Sequence, residues 1–352
     1  MEKRVLLGMS GGLDSSYSAM VLAEDGYTVE GAVLKMHDDT DVAAAQEVAD
    51  SLGISLRVID CRERFENCVV NNFIEEYAKG RTPNPCVRCN SEVKFDLLCR
   101  TADEAGIPYV ATGHYARLAY IKETGRYCIE RAADLRKDQS YVLWRLEQQQ
   151  LARLIFPLGT QTKEAVRIVA RERRLSSADR PESQEICFIP DGDYVQFIEQ
   201  KKGPFTPGDF IDINGKRVGQ HKGIIRYTIG QRKGLGLSMG EPVFVGKIDP
   251  IENTVTVVPS EFTYSNRLFV EELNFSGMHP MQKGKKQLYV KLRYLAPLVL
   301  ADVTFCSGGA YVFLHMPARA VTPGQSAVFY EDNRIAFGGI ISGNRSIPDE
   351  NP

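Results

Sequence analysis

A chain of 352 residues that is 43% hydrophobic and 25% charged can bury more than one core, which excludes a disordered chain and a single ordinary domain and predicts two or three domains. The net charge of -2 hides an asymmetry, since residues 1–200 hold 25 Lys and Arg against 32 Asp and Glu while residues 201–352 hold 18 against 13. The second part is therefore the expected polyanion-facing half, although charge alone supports a nucleic-acid partner without establishing one.

The first apolar run, Val5-Leu6-Leu7, is broken by Gly8 and Ser10, too soon for a signal peptide or a membrane span, so a cytoplasmic protein with no membrane partner is expected. Short apolar runs then alternate with helical patterns. Strands are expected at Arg4–Gly8, Val29–Met36, Leu56–Asp60 and Tyr109–Thr112. Helices are expected from near Asp14, over Val42–Leu52, toward Lys79 and over Asn90–Ala105. This alternation predicts an α/β, doubly wound parallel sheet whose strand ends bring Ser10, Met36 and Thr112 to one ligand-binding edge.

Two polar stretches interrupt the pattern, Gly80–Pro85 and Ser176–Gln184, and each leads into a cysteine. From Pro204 onward short alternating runs with frequent glycine replace the helices, and residues 266–345 read as a small antiparallel barrel or sandwich. The expected domains are a nucleotide-binding domain over 1–202, a small mixed central domain over 203–265 and a C-terminal antiparallel β-barrel over 266–352. The eight cysteines, Cys61, Cys68, Cys86, Cys89, Cys99, Cys128, Cys187 and Cys306, are scattered as in a reduced protein without a disulfide scaffold.

Ser10-Gly11-Gly12-Leu13-Asp14-Ser15-Ser16 lies between the first strand and the first helix, where glycine lets backbone approach an anion and helix N–H groups face it. It lacks the lysine of a Walker loop and the spacing of a dinucleotide loop. The string resembles the pyrophosphate-binding loop of the ATP pyrophosphatases, which implies adenylyl activation with ATP and magnesium; Asp14 serves the metal or caps the helix.

Thr82-Pro83-Asn84-Pro85-Cys86-Val87-Arg88-Cys89-Asn90 stiffens the approach to a CxxC just ahead of a helix. Arg88 and the helix N-terminus both favour a thiolate, so Cys89 is expected to ionise below the usual value of about 8.5. No second CxxC completes a zinc site, and a structural role for the pair stays open. Cys187, at the end of Glu182-Ser183-Gln184-Glu185-Ile186, reads by itself as a buried thiol in an apolar patch.

With ATGHYAR from Ala111, KDQSYVL from Lys137, SQEICFI from Ser183, HKGIIRYTIGQRKGLG from His221, KLRYLAP from Lys291 and TPGQSAVFY from Thr322, the chain resembles the tRNA-specific 2-thiouridylases along nearly its whole length. The resemblance implies ATP binding by Gly8, Met9, Ser10, Gly11, Gly12, Leu13, Asp14, Ser15, Ser16, Met36 and Gly113. It implies a target base beside Asn84, Pro85 and Cys86, and tRNA contacts from His114, Lys137, Asp138, Gln139, Arg293, Tyr294 and Gln325. Cys89 matches the nucleophile and Cys187 the persulfide carrier. Many members have Asp where this chain has Cys86, which therefore lines the base pocket or adds a third sulfur. In the second case Cys86, Cys89 and Cys187 are alternative ligands of a [4Fe-4S] cluster.

The implied partners are the tRNA anticodon stem-loop with its wobble uridine and a sulfur carrier or cysteine desulfurase that donates the persulfide. Lys283, Lys285, Lys286, Lys291 and Arg293 form the expected phosphate-binding cluster, giving the last module affinity and little chemistry. A ligase acting on a small molecule and a noncatalytic RNA-binding or iron–sulfur protein are the competing classes.

Overall fold

The computed structural model describes residues 3–175, 177–180, 186–189 and 191–343. The expected polar loop therefore lies partly outside the described residues, at Ser176 and from Pro181 to Glu185, as does Pro190 after Cys187.

Strands β1 (Arg4–Gly8), β2 (Thr28–Lys35), β3 (Leu56–Asp60) and β4 (Tyr109–Thr112), together with the short β7 (Leu154–Ile155), form a parallel sheet in the order β3-β2-β1-β4-β7. Side chains alternate across central β1. Val5 and Leu7 share a core with Ala19, Leu22, Val48 and Ala49 of helices Leu13–Glu24 and Val42–Leu52. Leu6 joins Leu98 and Ala102 of helix Phe95–Glu104 in another core. Helices on both faces explain why β1 is a continuous apolar run rather than an alternating one.

Between β4 and β7 the chain leaves this sheet as the hairpin β5 (Ala116–Ile121) and β6 (Arg126–Arg131), which the sequence patterning did not reveal. Strands β8 (Gly208–Ile211), β9 (Arg217–His221), β10 (Phe244–Asp249) and β11 (Thr254–Val258) make a four-stranded sheet in the order β10-β11-β8-β9.

The last strands are β12 (Tyr264–Phe275), β13 (Gly284–Lys291), β14 (Val299–Cys306), β15 (Gly309–Arg319), β16 (Ser326–Glu331) and β17 (Arg334–Ile341). They run in the order β12-β15-β14-β13-β16-β17, and β17 pairs back to β12. The open choice between barrel and sandwich is thus a closed barrel. Ala301, Val303 and Phe305 alternate inward along β14, and the Phe329 and Phe337 rings stack at 4.1 Å in its core.

The barrel is not separate from the first sheet. Hairpin β5–β6 extends it through Arg334 opposite Glu130, and Trp144 is fully buried with its indole N–H donating to Ser326 Oγ at 3.0 Å. A Cβ on Gly338 of β17 would lie 2.5 Å from that indole, so the glycine is what lets the ring seat on the strand.

Candidate functional site

Nucleotide loop geometry begins where β1 ends. Met9 N donates to Ala32 O of β2 at 2.8 Å, and Gly11 turns the chain with φ +72°, its missing side chain leaving room for the Ala44 backbone. Gly12 occupies the cap position of helix Leu13–Glu24 without a side-chain cap, so the first turn's N–H groups stay available to an anion. The hydroxyls of Ser15 and Ser16 both donate to Gly12 O, at 3.0 and 2.9 Å, and Ser10 N donates to Ser15 Oγ at 3.2 Å. Gly113 closes the site from the end of β4, since a Cβ there would lie 3.0–3.1 Å from the backbone of Asp14 and Ser15.

Asp14, expected to serve the metal or to cap the helix, is not the cap, a position that Gly12 takes. Its carboxylate accepts two 2.8 Å hydrogen bonds from Lys163 Nζ and one of 2.9 Å from Tyr115 OH. Lys163 is buried and opens helix Lys163–Glu172, where the helix dipole disfavours a cation; that misplacement was the signal for it. Arg180, also missed, donates to Gly11 O at 2.8 Å and pairs with Glu47 at 2.9 Å. Neither contact has any local sequence signature.

The cysteine loop sits where all three parts of the chain meet. A Cβ on Gly80 would lie 2.8 Å from Ile248 of β10, and the Thr82 and Thr228 hydroxyls are 3.3 Å apart. From the barrel side, Thr82 N donates to Pro323 O at 2.9 Å, and Gln325 Nε2 donates to Thr82 O and Pro83 O at 2.8 and 3.3 Å. Asn84 then caps the following turn by accepting from Cys86 N at 3.1 Å, with Pro85 at the first helical position.

The CxxC is itself the start of the helix, with Cys86 exposed and Cys89 buried one turn inside. This overturns the expected thiolate: burial pushes the Cys89 thiol up to about 12, and Arg88 is paired with Glu92 at 2.9 Å. The Cys89 thiol lies 3.8 Å from the Met36 sulfur at the end of β2, which joins the cysteine loop to the nucleotide edge. Cys187 is exposed, not buried as its apolar surroundings suggested. It rides on a turn closed by Ile189 N to Ile186 O at 2.8 Å and anchored by Phe188, whose ring meets Phe65, Phe73 and Phe197 at 5.4–5.5 Å. Desolvation is the largest cause raising the Cys187 and Cys89 thiols; a thiolate at Cys86 further opposes ionisation of Cys187, and thiolates at Cys86 and Cys187 further oppose that of Cys89.

The expected tRNA contacts divide. His114 is buried, its Nδ1 2.8 Å from Thr112 Oγ1, and desolvation holds it well below the usual histidine range, so it faces its surroundings neutral. Asp138 is buried and accepts from Ala132 N, Ser140 N and Ser140 Oγ at 2.9–3.2 Å. Gln139 accepts from Tyr115 N at 2.9 Å, and Lys137 is half-buried beside them. Arg293 is exposed but tied by one nitrogen to Ala320 O and Thr322 Oγ1 at 2.6 and 2.7 Å. It borders an open recess of about 920 Å³ lined also by Tyr194, Lys222, Arg226 and Gln231. Tyr294 lies within electrostatic reach of Cys86.

The expected basic cluster is not one patch. Lys285 and Lys291 stand six residues apart on β13, about 20 Å at a strand's rise, and Lys291 is buried against the Tyr294 ring. Nor is the barrel limited to affinity, because Gln325 and Pro323 hold the cysteine loop. Among the described residues no group of three or more His, Cys, Asp or Glu side chains is arranged to hold a metal ion.

Family models match the chain in three segments: a tRNA methyl transferase HUP domain over residues 3–191, a tRNA methyl transferase PRC-barrel domain over 195–259 and an aminomethyltransferase beta-barrel domain over 265–341. The tRNA-specific 2-thiouridylase MnmA of Carboxydothermus hydrogenoformans is 43% identical over 358 residues, covering 96% of this chain and 97% of that one. The proteins of that name from Acetivibrio thermocellus and Clostridioides difficile are 42% and 38% identical, each over 97% of this chain.

Proposed function

The chain belongs to the family of tRNA-specific 2-thiouridylases, and from that premise we propose that it uses ATP to activate the wobble uridine of a tRNA anticodon stem-loop and replaces its O2 by sulfur. The observation that carries this reading is the 3.8 Å approach of Cys89 to Met36, which puts a nucleophilic side chain beside the edge where the glycine loop would hold ATP. We take the catalytic part to end near residue 202 and the barrel to begin near residue 266.

Uridine O2 attacks the α-phosphate, and pyrophosphate departs toward the N–H groups of the Gly11–Ser16 loop, which hold its growing charge. A magnesium ion bound with the nucleotide's phosphates would supply further compensation of that charge. The base is extruded against the Asn84–Cys86 wall, which its proline and the Gln325 clamp keep rigid. A carrier or desulfurase leaves the outer sulfur on exposed Cys187 as a persulfide. Cys89 attacks the Cys187 sulfur; a Cys89–Cys187 bond forms, the persulfide bond breaks, and the outer sulfur leaves as hydrosulfide with the electron pair. Hydrosulfide adds to C2, loses its proton, and AMP departs with the old oxygen. The described residues include no helix long and apolar enough to cross a membrane, and a cytoplasmic setting is part of the proposal because a tRNA substrate is met there.

Cys86→Asp tests the relay against a three-sulfur site, because it removes one thiol and leaves Cys89 and Cys187. The expected result is undiminished 2-thiouridine in iron-free protein supplied with a persulfide donor. Activity that follows iron content across preparations would sink the relay.

A further inference from the structure

The helical run from Pro85 to Glu104 changes pitch at its centre. Cys89–Lys94 is wound as a π-helix, and Phe95 N donates to Asn90 O, five residues back. In an α-helix the fifth residue on has turned away from the first, whereas the wider π turn returns it to the same face. Lys94 therefore shares a face with Cys89.

Lys94 is half-buried, and among the described residues no carboxylate pairs with it. The neighbouring acids are engaged elsewhere, Glu92 with Arg88 at 2.9 Å and Asp96 with Arg64 and Arg100 at 2.7 and 3.0 Å. The same ammonium reaches four groups on three segments. It eases ionisation of Cys86, Cys89 and Cys187 against the desolvation that opposes it, and it joins burial in keeping His114 neutral. Cys61 is the other titratable neighbour of Cys89. A half-buried cation with no carboxylate partner is of greatest use where negative charge develops during a reaction.

We propose that Lys94 is a positioning residue for sulfur transfer, its ammonium serving as counter-ion to the anionic sulfur of Cys89 and to the hydrosulfide released from Cys187. This rests on the reading of Cys89 as nucleophile. In that step the negative charge passes from the Cys89 sulfur to the hydrosulfide and is never neutralised by a proton, so one fixed cation serves both ends.

The test is the pH profile of Cys89 alkylation by iodoacetamide in the full-length protein. Trypsin cuts after Arg88 and Lys94 and isolates Cys89 on its own peptide; in K94M the peptide runs to Arg100, and fragment ions separate Cys89 from Cys99. K94M is expected to move the profile up by about one pH unit, making labelling about tenfold slower at a fixed pH below the midpoint. K94R restores the wild-type profile, and labelling of buried Cys128 does not change. In parallel, kcat for 2-thiouridine formation falls in K94M while KM for ATP stays within twofold. K94Q, uncharged and similar in length, carries the same expectation should K94M fail to fold. Superimposable profiles for wild type and a folded uncharged variant would overturn the proposal. Cys89→Ser tests the nucleophile reading separately: retained thiolation there would remove the sulfur-transfer role even where the labelling shift is seen.

Discussion

Gly11 and Gly12 are adjacent yet needed for different reasons, and substituting each by alanine separates them. At Gly11 the backbone has φ +72° and an added Cβ would fall 2.6 Å from the Ala44 carbonyl carbon and 2.8 Å from Ala45 N. The left-handed conformation alone costs about 1–2 kcal/mol for an alanine, or about 2–8 °C in Tm for a domain of this size, before helix Val42–Leu52 shifts to make room. At Gly12 φ is -83° and ψ 168°, and the added Cβ would meet only Ser10 Oγ, at 3.4 Å. Gly12→Ala should therefore melt within about 0.5 kcal/mol of wild type. It should nevertheless block the approach of a phosphate to the loop. Mg-ATP at a hundred times its Kd stabilises a protein by about 2.7 kcal/mol; that upshift is expected in wild type and absent in Gly12→Ala, together with tRNA-dependent pyrophosphate release. A Gly12→Ala protein that is stabilised by ATP and releases pyrophosphate normally would refute the placement of the nucleotide.

Gln325→Ala removes two hydrogen bonds to the Thr82–Pro83 segment and, at about 1 kcal/mol each when the partners are left partly unsatisfied, should lower kcat for thiouridine formation by up to about thirtyfold with KM for ATP unchanged; steady-state kinetics showing less than a twofold change would return the residue to a direct RNA contact. Alkaline pH should unfold the reduced protein. Burial raises Cys61, Cys99 and Cys128 to about 11 and Cys89 to about 12, so between about pH 8.5 and those values the unfolded chain releases protons that the folded chain keeps. Each thiol then removes up to about 1.4 kcal/mol of stability per pH unit, and a urea midpoint that does not fall between pH 8 and pH 10.5 would contradict their burial.

Local signals carried the first half of the fold. The strand, glycine loop and helix from Arg4 to Glu24 announce themselves by an apolar run ending in small residues, and the alternation of periodicities gives the parallel sheet. What escaped depends on partners far along the chain. Asp14 reads as a metal ligand or a cap because Lys163 and Tyr115, which occupy its carboxylate, lie more than 100 residues away. Cys89 reads as an activated thiol because Arg88 is adjacent, but the pairing with Glu92 and the burial are three-dimensional facts. The lysines of β13 look like a cluster only in one dimension, since a strand spreads them along its length and turns some inward. The cysteine loop was legible as a rigid element through its two prolines, whereas its grip by Pro323, Gln325 and Thr228 was not.

Joining β6 to β17 imposes an order on events during synthesis. The hairpin at Ala116–Arg131 emerges from the ribosome roughly 200 residues before the strand it borders, a wait on the order of 10–40 s at about 5–20 residues per second. Throughout that interval the outer edge of β6 and the indole of Trp144 have no partner, so the first sheet can form early while its polar and apolar flank stays open to chaperones or to neighbouring nascent chains. Completion of the barrel is thus also the last step in completing the nucleotide-binding half, and because Trp144 is the chain's one tryptophan, its fluorescence reports that closing event directly.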